Sequence, residues 1–240
     1  MIKKLILISA LLLITGCSNS SSKVIEKLDT NLNEPNQQPT LFEQRKEEKV
    51  EQFIEFPLED EQVLINLEMV PILREYLNGV KSRTDSISEM KLEKLPLDNH
   101  QIYLLEFSCF HDACSYLIFN QTGENPAYLV ADLAKSTNLL ISPDQSKVAL
   151  QFSRLNGQNM QLNNLVVIDL TNWQVLSLEN ETSDANILNY TWPYVTVEWI
   201  DEQKLTISTP DVLEPTYQHL SEWYGTNTKI RFDTTLSVAN

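Results

Sequence analysis

Ser142-Pro143-Asp144-Gln145-Ser146-Lys147-Val148-Ala149-Leu150 is an acidic turn that runs directly into a strand, and Val167-Ile168-Asp169-Leu170 is the strand that answers it. Ser, Pro and Asp favour turns because they fix φ or bond their own backbone, whereas the residues after Lys147 suit a pleated, buried surface. The same order recurs without gaps at Asp98-Asn99-His100-Gln101-Ile102-Tyr103-Leu104 and at Asp201-Glu202-Gln203-Lys204-Leu205-Thr206-Ile207. Each copy leads through a loop to a second strand: Tyr116 to Asn120, Leu165 to Asp169, and Lys229 to Asp233. The spacing from Asp98 to Asp144 is 46 residues and from Asp144 to Asp201 is 57, so an insertion enlarges the second interval.

Outward from these copies, short apolar runs separated by polar turns fill the chain from about Met90. They predict strands at 101–107, 115–120, 127–132, 147–153, 165–170, 174–178, 194–200, 204–208 and 229–233. Regular spacing of this kind reads as an antiparallel meander. The middle copy resembles the blades of TolB-like and WD40-like β-propellers, although that family usually carries Gly where Gln145 stands. The resemblance implies a mainly β chain in which residues 90–240 form three propeller-blade-like repeats, preceded by short α-helices. Propellers close with about four or more blades. Either the segment before residue 90 completes the layer, or the meander never closes.

That earlier segment, residues 41–89, reads as helical. Leu41, Phe42, Val50, Phe53 and Ile54 recur at near-helical spacing among charged residues. Asp60 is placed to cap a second helix with Val63, Leu64, Leu67, Val70, Leu73, Tyr76 and Leu77 on one face, stopping at Asn78-Gly79 and kinked at Pro71. Residues 17–40 are polar and proline-containing, and read as a flexible tether.

Residues 1–16 have the order of a secretory signal. Lys3 and Lys4 precede an apolar run from Leu5 to Ile14, then Ile14-Thr15-Gly16-Cys17. The run is too short for a membrane span, which needs roughly 20 apolar residues. Its ending resembles the lipobox of bacterial lipoproteins. The resemblance implies that the Cys17 thiol takes a diacylglycerol, that the chain is cut before it, and that acyl chains tie the protein to the bilayer. Ser18 in place of Asp then points to the outer membrane, facing the periplasm.

Composition supports one sizeable domain plus an arm. The 240 residues are 42% hydrophobic with four Trp, and only five Gly and ten Pro argue against disorder throughout. Net charge is −15, and removing Lys3 and Lys4 makes it −17, which repels nucleic acid and anionic headgroups. Besides Cys17 only Cys109 and Cys114 remain. A local disulfide is the default in an oxidising compartment; zinc or redox chemistry is the competing reading, but C-x₄-C lacks a second pair.

Marks of common enzymes are absent: no G-x-S-x-G, no Gly-rich phosphate loop, no H-E-x-x-H. Ser88-Glu89-Met90-Lys91 matches S-x-x-K without its companion K-T-G, and His100, His111 and His219 lack metal-ligand spacing, so no cofactor is implied. Loops at equivalent positions of a meander share an edge. The loops 109–114, 154–163 and 209–227 therefore nominate His111, Asp112, Arg154, Asn156, Tyr217, His219, Trp223 and Tyr224 as a partner-binding edge. Trp223 and Tyr224 either face a partner or fold back as a lid on the core. Two functions follow as expectations: a lipid-anchored module that binds an envelope protein, or a hydrolase of envelope material using an acidic pair such as Asp112 and Glu222. Missing motifs favour the first.

Overall fold

The computed structural model describes residues 25–28, 40–46, 49–120, 126–183 and 185–239. Cys17 and the signal segment lie outside the described residues, as does most of the expected tether. Among the described residues no helix is long and apolar enough to cross a membrane.

The chain is mainly β and wholly antiparallel. Four strands form a small sheet: β1 (Ile25–Leu28), β2 (Thr40–Lys46), β3 (Lys49–Pro57) and β4 (Gln62–Asn66), in the order β1-β4-β3-β2. Two expectations are corrected here. Part of the tether, Ile25–Leu28, is a strand paired with β4, and Thr40–Lys46, Lys49–Pro57 and Gln62–Asn66 are strands, not helices. The helical spacing misled because β3 and β4 are covered on both faces. Phe53 and Ile54 are adjacent and both buried, and so are Val63, Leu64 and Ile65. Asp60 lies in the β3–β4 turn, where the Leu58 N–H donates to the Glu61 carbonyl, and caps no helix.

Two short helices follow, α1 (Pro71–Gly79) and α2 (Arg83–Ser88). Pro71 opens α1 and does not kink it; at the first helical position its missing N–H costs nothing. Ser82 caps α2 by accepting from the Asp85 N–H.

Ten strands make the second sheet. They are β5 (Lys91–Lys94), β6 (Ile102–Phe110), β7 (Ala113–Asn120), β8 (Tyr128–Ile141), β9 (Lys147–Leu155), β10 (Gln161–Asp169), β11 (Gln174–Asn180), β12 (Thr196–Trp199), β13 (Lys204–Pro210) and β14 (Arg231–Ala239). Their order is β12-β13-β14-β11-β10-β9-β8-β7-β6-β5, one continuous sheet that does not close. All nine expected strands are present. Separate blades are not formed, because strands are shared between neighbouring units. The first half of the 14-residue β8 pairs with β7, with Cys114 opposite Ala134, and its second half pairs with β9, with Lys135 opposite Ser153.

β6, β7 and β9 are buried on both faces over most of their length, which is why they read as nearly unbroken apolar runs. Tyr103, Leu105, Phe107, Leu117 and Phe119 join one core with α1, α2 and the small sheet. The alternate residues Ile102, Leu104, Tyr116 and Ile118 join a second core with Val148, Leu150, Phe152 and Ile168. A third core, holding Ala149, Val167, Leu205, Ile207 and Leu236, lies under β9 to β14. The turns of the middle and last copies are built alike: the Asp144 carboxylate accepts the Ser146 N–H, and the Asp201 carboxylate accepts the Gln203 N–H. Gln145 adopts the left-handed conformation (φ 58°) where the propeller blades carry Gly, and its side chain bonds Asp98, linking the first turn to the second.

Candidate functional site

The handover along β8 brings two hairpin tips together. The β6–β7 tip ends at Cys114 and the β9–β10 tip begins beyond Ser153, and both meet the middle of β8. Three nominated residues gather there. Asp112 pairs with Lys135 of β8 (3.5 Å), Arg154 donates to the Asp132 carbonyl and stacks over the Tyr190 ring (4.0 Å), and His111 lies against Phe110 (4.4 Å). Burial pushes the Tyr190 phenol up, so it stays neutral under the guanidinium. Asn156 is committed to its own turn, accepting the Gln158 and Met160 N–H groups.

Cys109 and Cys114 are joined across the β6–β7 tip (S–S 2.10 Å, Cα–Cα 4.0 Å). With Glu106 they form the one metal-compatible trio found among the described residues. The bridge withdraws both thiolates, and the Glu106 carboxylate already accepts from Lys91 and the Tyr116 hydroxyl, each at 3.0 Å. Tyr116 is pushed up to about 12, mainly by burial, and so remains a donor. Lys91 is thereby placed on Glu106, while the Ser88 hydroxyl donates to the Asp85 carbonyl, so the S-x-x-K match has no serine–lysine pair in it.

The other four nominated residues lie on a third helix, α3 (Tyr217–Gly225), where a loop was expected. Thr216 caps it by accepting the His219 N–H, and Leu220 and Trp223, three apart, are its buried face. Trp223 is 7% exposed and its indole N–H donates to the Ile230 carbonyl (2.5 Å). It is the lid of the two readings, whereas its neighbour Tyr224 is 56% exposed. The imidazole Nδ1 of His219 lies 3.0 Å from the Glu214 carbonyl.

Beside α3 is a groove of about 290 Å³. Val212, Leu213, Trp223 and Ile230 give it apolar walls, and Asp211, His219 and Glu222 line it as well. The Lys229 ammonium sits 5.4 Å from the Trp223 ring and 5.5 Å from the Tyr224 ring. Five of the thirteen large apolar side chains left exposed among the described residues, Leu213, Tyr217, Tyr224, Ile230 and Phe232, fall within residues 213–232. That concentration marks the α3 face as the strongest candidate. No hydrogen bond, ion pair or ring contact among the described residues links it to the hairpin tips. The suggested acidic pair is likewise not assembled: Asp112 pairs with Lys135, and Glu222 accepts from Gln218 on its own helix.

A buried carboxylate escaped the sequence reading. Glu61, 5% exposed, accepts the Tyr103 hydroxyl (2.8 Å) and pairs with Lys94 (3.3 Å), joining the small sheet to the large one. Burial, and then Glu61 itself, raises the Tyr103 phenol far above its ordinary value. Glu59, Asp60 and Glu93 surround the same opening of about 400 Å³. Comparison with protein-family models, curated proteins and solved structures finds no match to this chain.

Proposed function

We propose that this chain is a lipid-anchored bacterial envelope protein that binds a protein partner in the periplasm through the α3 face. The lipobox-like Ile14-Thr15-Gly16-Cys17 supports the anchor, with Ser18 favouring the outer membrane. The relation between the repeats supports blade-like units within the continuous sheet. The observation that carries the binding reading is the cluster of exposed apolar side chains around the α3 groove, because surfaces of this kind are costly to leave in water and mark interaction sites. A photo-crosslinking residue at Leu213 should capture a discrete envelope protein, and one at Val175, exposed on β11, should not. Equal capture from both positions, or none from Leu213, refutes the reading. Metabolic labelling with a fatty-acid analogue should tag the wild type and not Cys17→Ala.

One observation favours the hydrolase alternative: Asp211, Glu222 and His219 line the same groove. Under that reading Glu222→Gln abolishes turnover of isolated envelope material; under the binding reading no turnover exists to abolish.

A further inference from the structure

We infer that the occupant of the α3 groove is a basic peptide segment that inserts one bulky apolar side chain, an inference that rests on the binding reading above. At about 290 Å³ the groove lies at the bottom of the range for small-molecule sites, roughly 300–1,000 Å³, and has room for a bulky side chain. Val212, Leu213, Trp223 and Ile230 give that space apolar walls on which an apolar side chain can pack, while Asp211, His219 and Glu222 line the rest.

Charge decides the flanks. Residues 211–233 contain four carboxylates, Asp211, Glu214, Glu222 and Asp233, against two basic residues, Lys229 and Arg231. Among the described residues none of the four carboxylates is in an ion pair. Lys229 does not neutralise them, because its ammonium rests over the Trp223 and Tyr224 rings. That placement shows that the aromatic corner accepts a cation. Asp211 and Glu222 therefore face the groove uncompensated, in a chain whose net charge is already −15. A second copy of this chain is disfavoured, since an isologous contact would set the same carboxylates against each other. Lysine or arginine beside the apolar anchor fits both features, and the overall field steers such a segment in.

The test measures fluorescence anisotropy of labelled peptides against the full-length protein in detergent. Three peptides are compared: one of leucine and lysine, its leucine–glutamate counterpart, and a serine–lysine peptide without apolar residues. The leucine–lysine peptide should bind best, and its affinity should fall about tenfold in Asp211→Asn/Glu222→Gln, the loss of two partly exposed charge contacts. The control Glu75→Gln/Glu202→Gln removes two exposed carboxylates elsewhere and should change it less than about twofold. Leu213→Ser should weaken the leucine–lysine peptide and leave the serine–lysine peptide unaffected. Equal losses in the two double variants, or equal binding of the glutamate peptide, overturn the inference. If no peptide binds while crosslinking from Leu213 persists, the ligand class is wrong and the binding reading stands. If both fail, the binding reading fails with it.

Discussion

Trp223 and Tyr224 are adjacent, and their replacement by alanine should have opposite consequences. Trp223 is 7% exposed, donates to the Ile230 carbonyl, and with Leu220 forms the buried face of α3. Truncating a buried Trp costs about 3–5 kcal/mol. A nine-residue helix cannot hold itself in water, so α3 should open once that contact is gone. If the loss is transmitted to the whole domain, the melting midpoint should drop by roughly 10 °C, at about 2–4 °C per kcal/mol for a chain of this size. If it stays local, amides across 217–225 should lose their exchange protection instead. Tyr224 is more than half exposed and holds an edge contact with Trp223 (5.1 Å), worth at most about 1 kcal/mol, so Tyr224→Ala should shift the midpoint by less than about 4 °C. Trp223→Phe keeps an aromatic platform and loses the N–H bond, and should fall between the two at about 1 kcal/mol plus lost area. Calorimetry with hydrogen exchange on the same samples reads both terms. Equal behaviour of the two alanine variants, or retained α3 protection in Trp223→Ala, would refute the lid assignment. Tyr224→Ala is therefore the variant with which to test partner binding, because Trp223→Ala removes the platform together with the contact.

Three other consequences follow. The Asp144 carboxyl is held down to about 2, first by the Ser142 hydroxyl and then by Ser146. A depressed carboxylate stabilises above its unfolded value of about 3.9 and loses that contribution as pH falls to about 2. After allowance for its exposure, Asp144→Asn should cost about 1 kcal/mol at neutral pH in urea titrations, and the gap should close near pH 2. Tyr103→Phe removes the hydroxyl donor to the buried Glu61 carboxylate and should cost about 1–3 kcal/mol by chemical denaturation, partly recovered by adding Glu61→Gln. Reducing the Cys109–Cys114 bridge should cost at most about 2 kcal/mol, because the closed loop is short, while exchange at 108–113 rises strongly; mass spectrometry without reductant should find no free thiol at either cysteine.

The legible part of this fold is the part whose turns carry their own chemistry. Asp144 and Asp201 bond the backbone two residues on, so their copies could be aligned and every strand after residue 100 located. The register of β8 was not legible, because nothing in Tyr128–Ile141 marks the point where its partner changes, and Leu133 there adopts φ 43°. The small sheet was misread because burial on both faces erases alternation, as at Val63, Leu64 and Ile65. α3 was missed although its signals were present: Pro215-Thr216 to start it, Leu220 and Trp223 three apart, Gly225 to stop it. At the candidate site, Tyr217, His219, Trp223 and Tyr224 were nominated from the place of their loop in the repeat and from its aromatic density. Asp211, Leu213 and Ile230 were overlooked, because a groove wall assembled from two strand ends has no local pattern.

The same double burial constrains where recognition can occur. Alternate residues of β6 and β7 are committed to two different cores, so a partner cannot use those faces without unfolding them. The free edges of the large sheet, Lys91–Lys94 and Thr196–Trp199, have four residues each, which offers little backbone for an added strand. Connections remain, and they divide by chemistry. At the hairpin tips the charges are largely spent within the chain: Asp112 on Lys135, Arg154 on the Asp132 carbonyl and Tyr190. Beside α3 the carboxylates have no ion-pair partner among the described residues, Glu222 accepting from the Gln218 amide, and Leu213 and Ile230 are exposed. A partner gains from groups that are not already satisfied, because only those exchange water for something better. On that criterion the proposed partner contact falls on the insertion between β13 and β14 rather than on the hairpin tips.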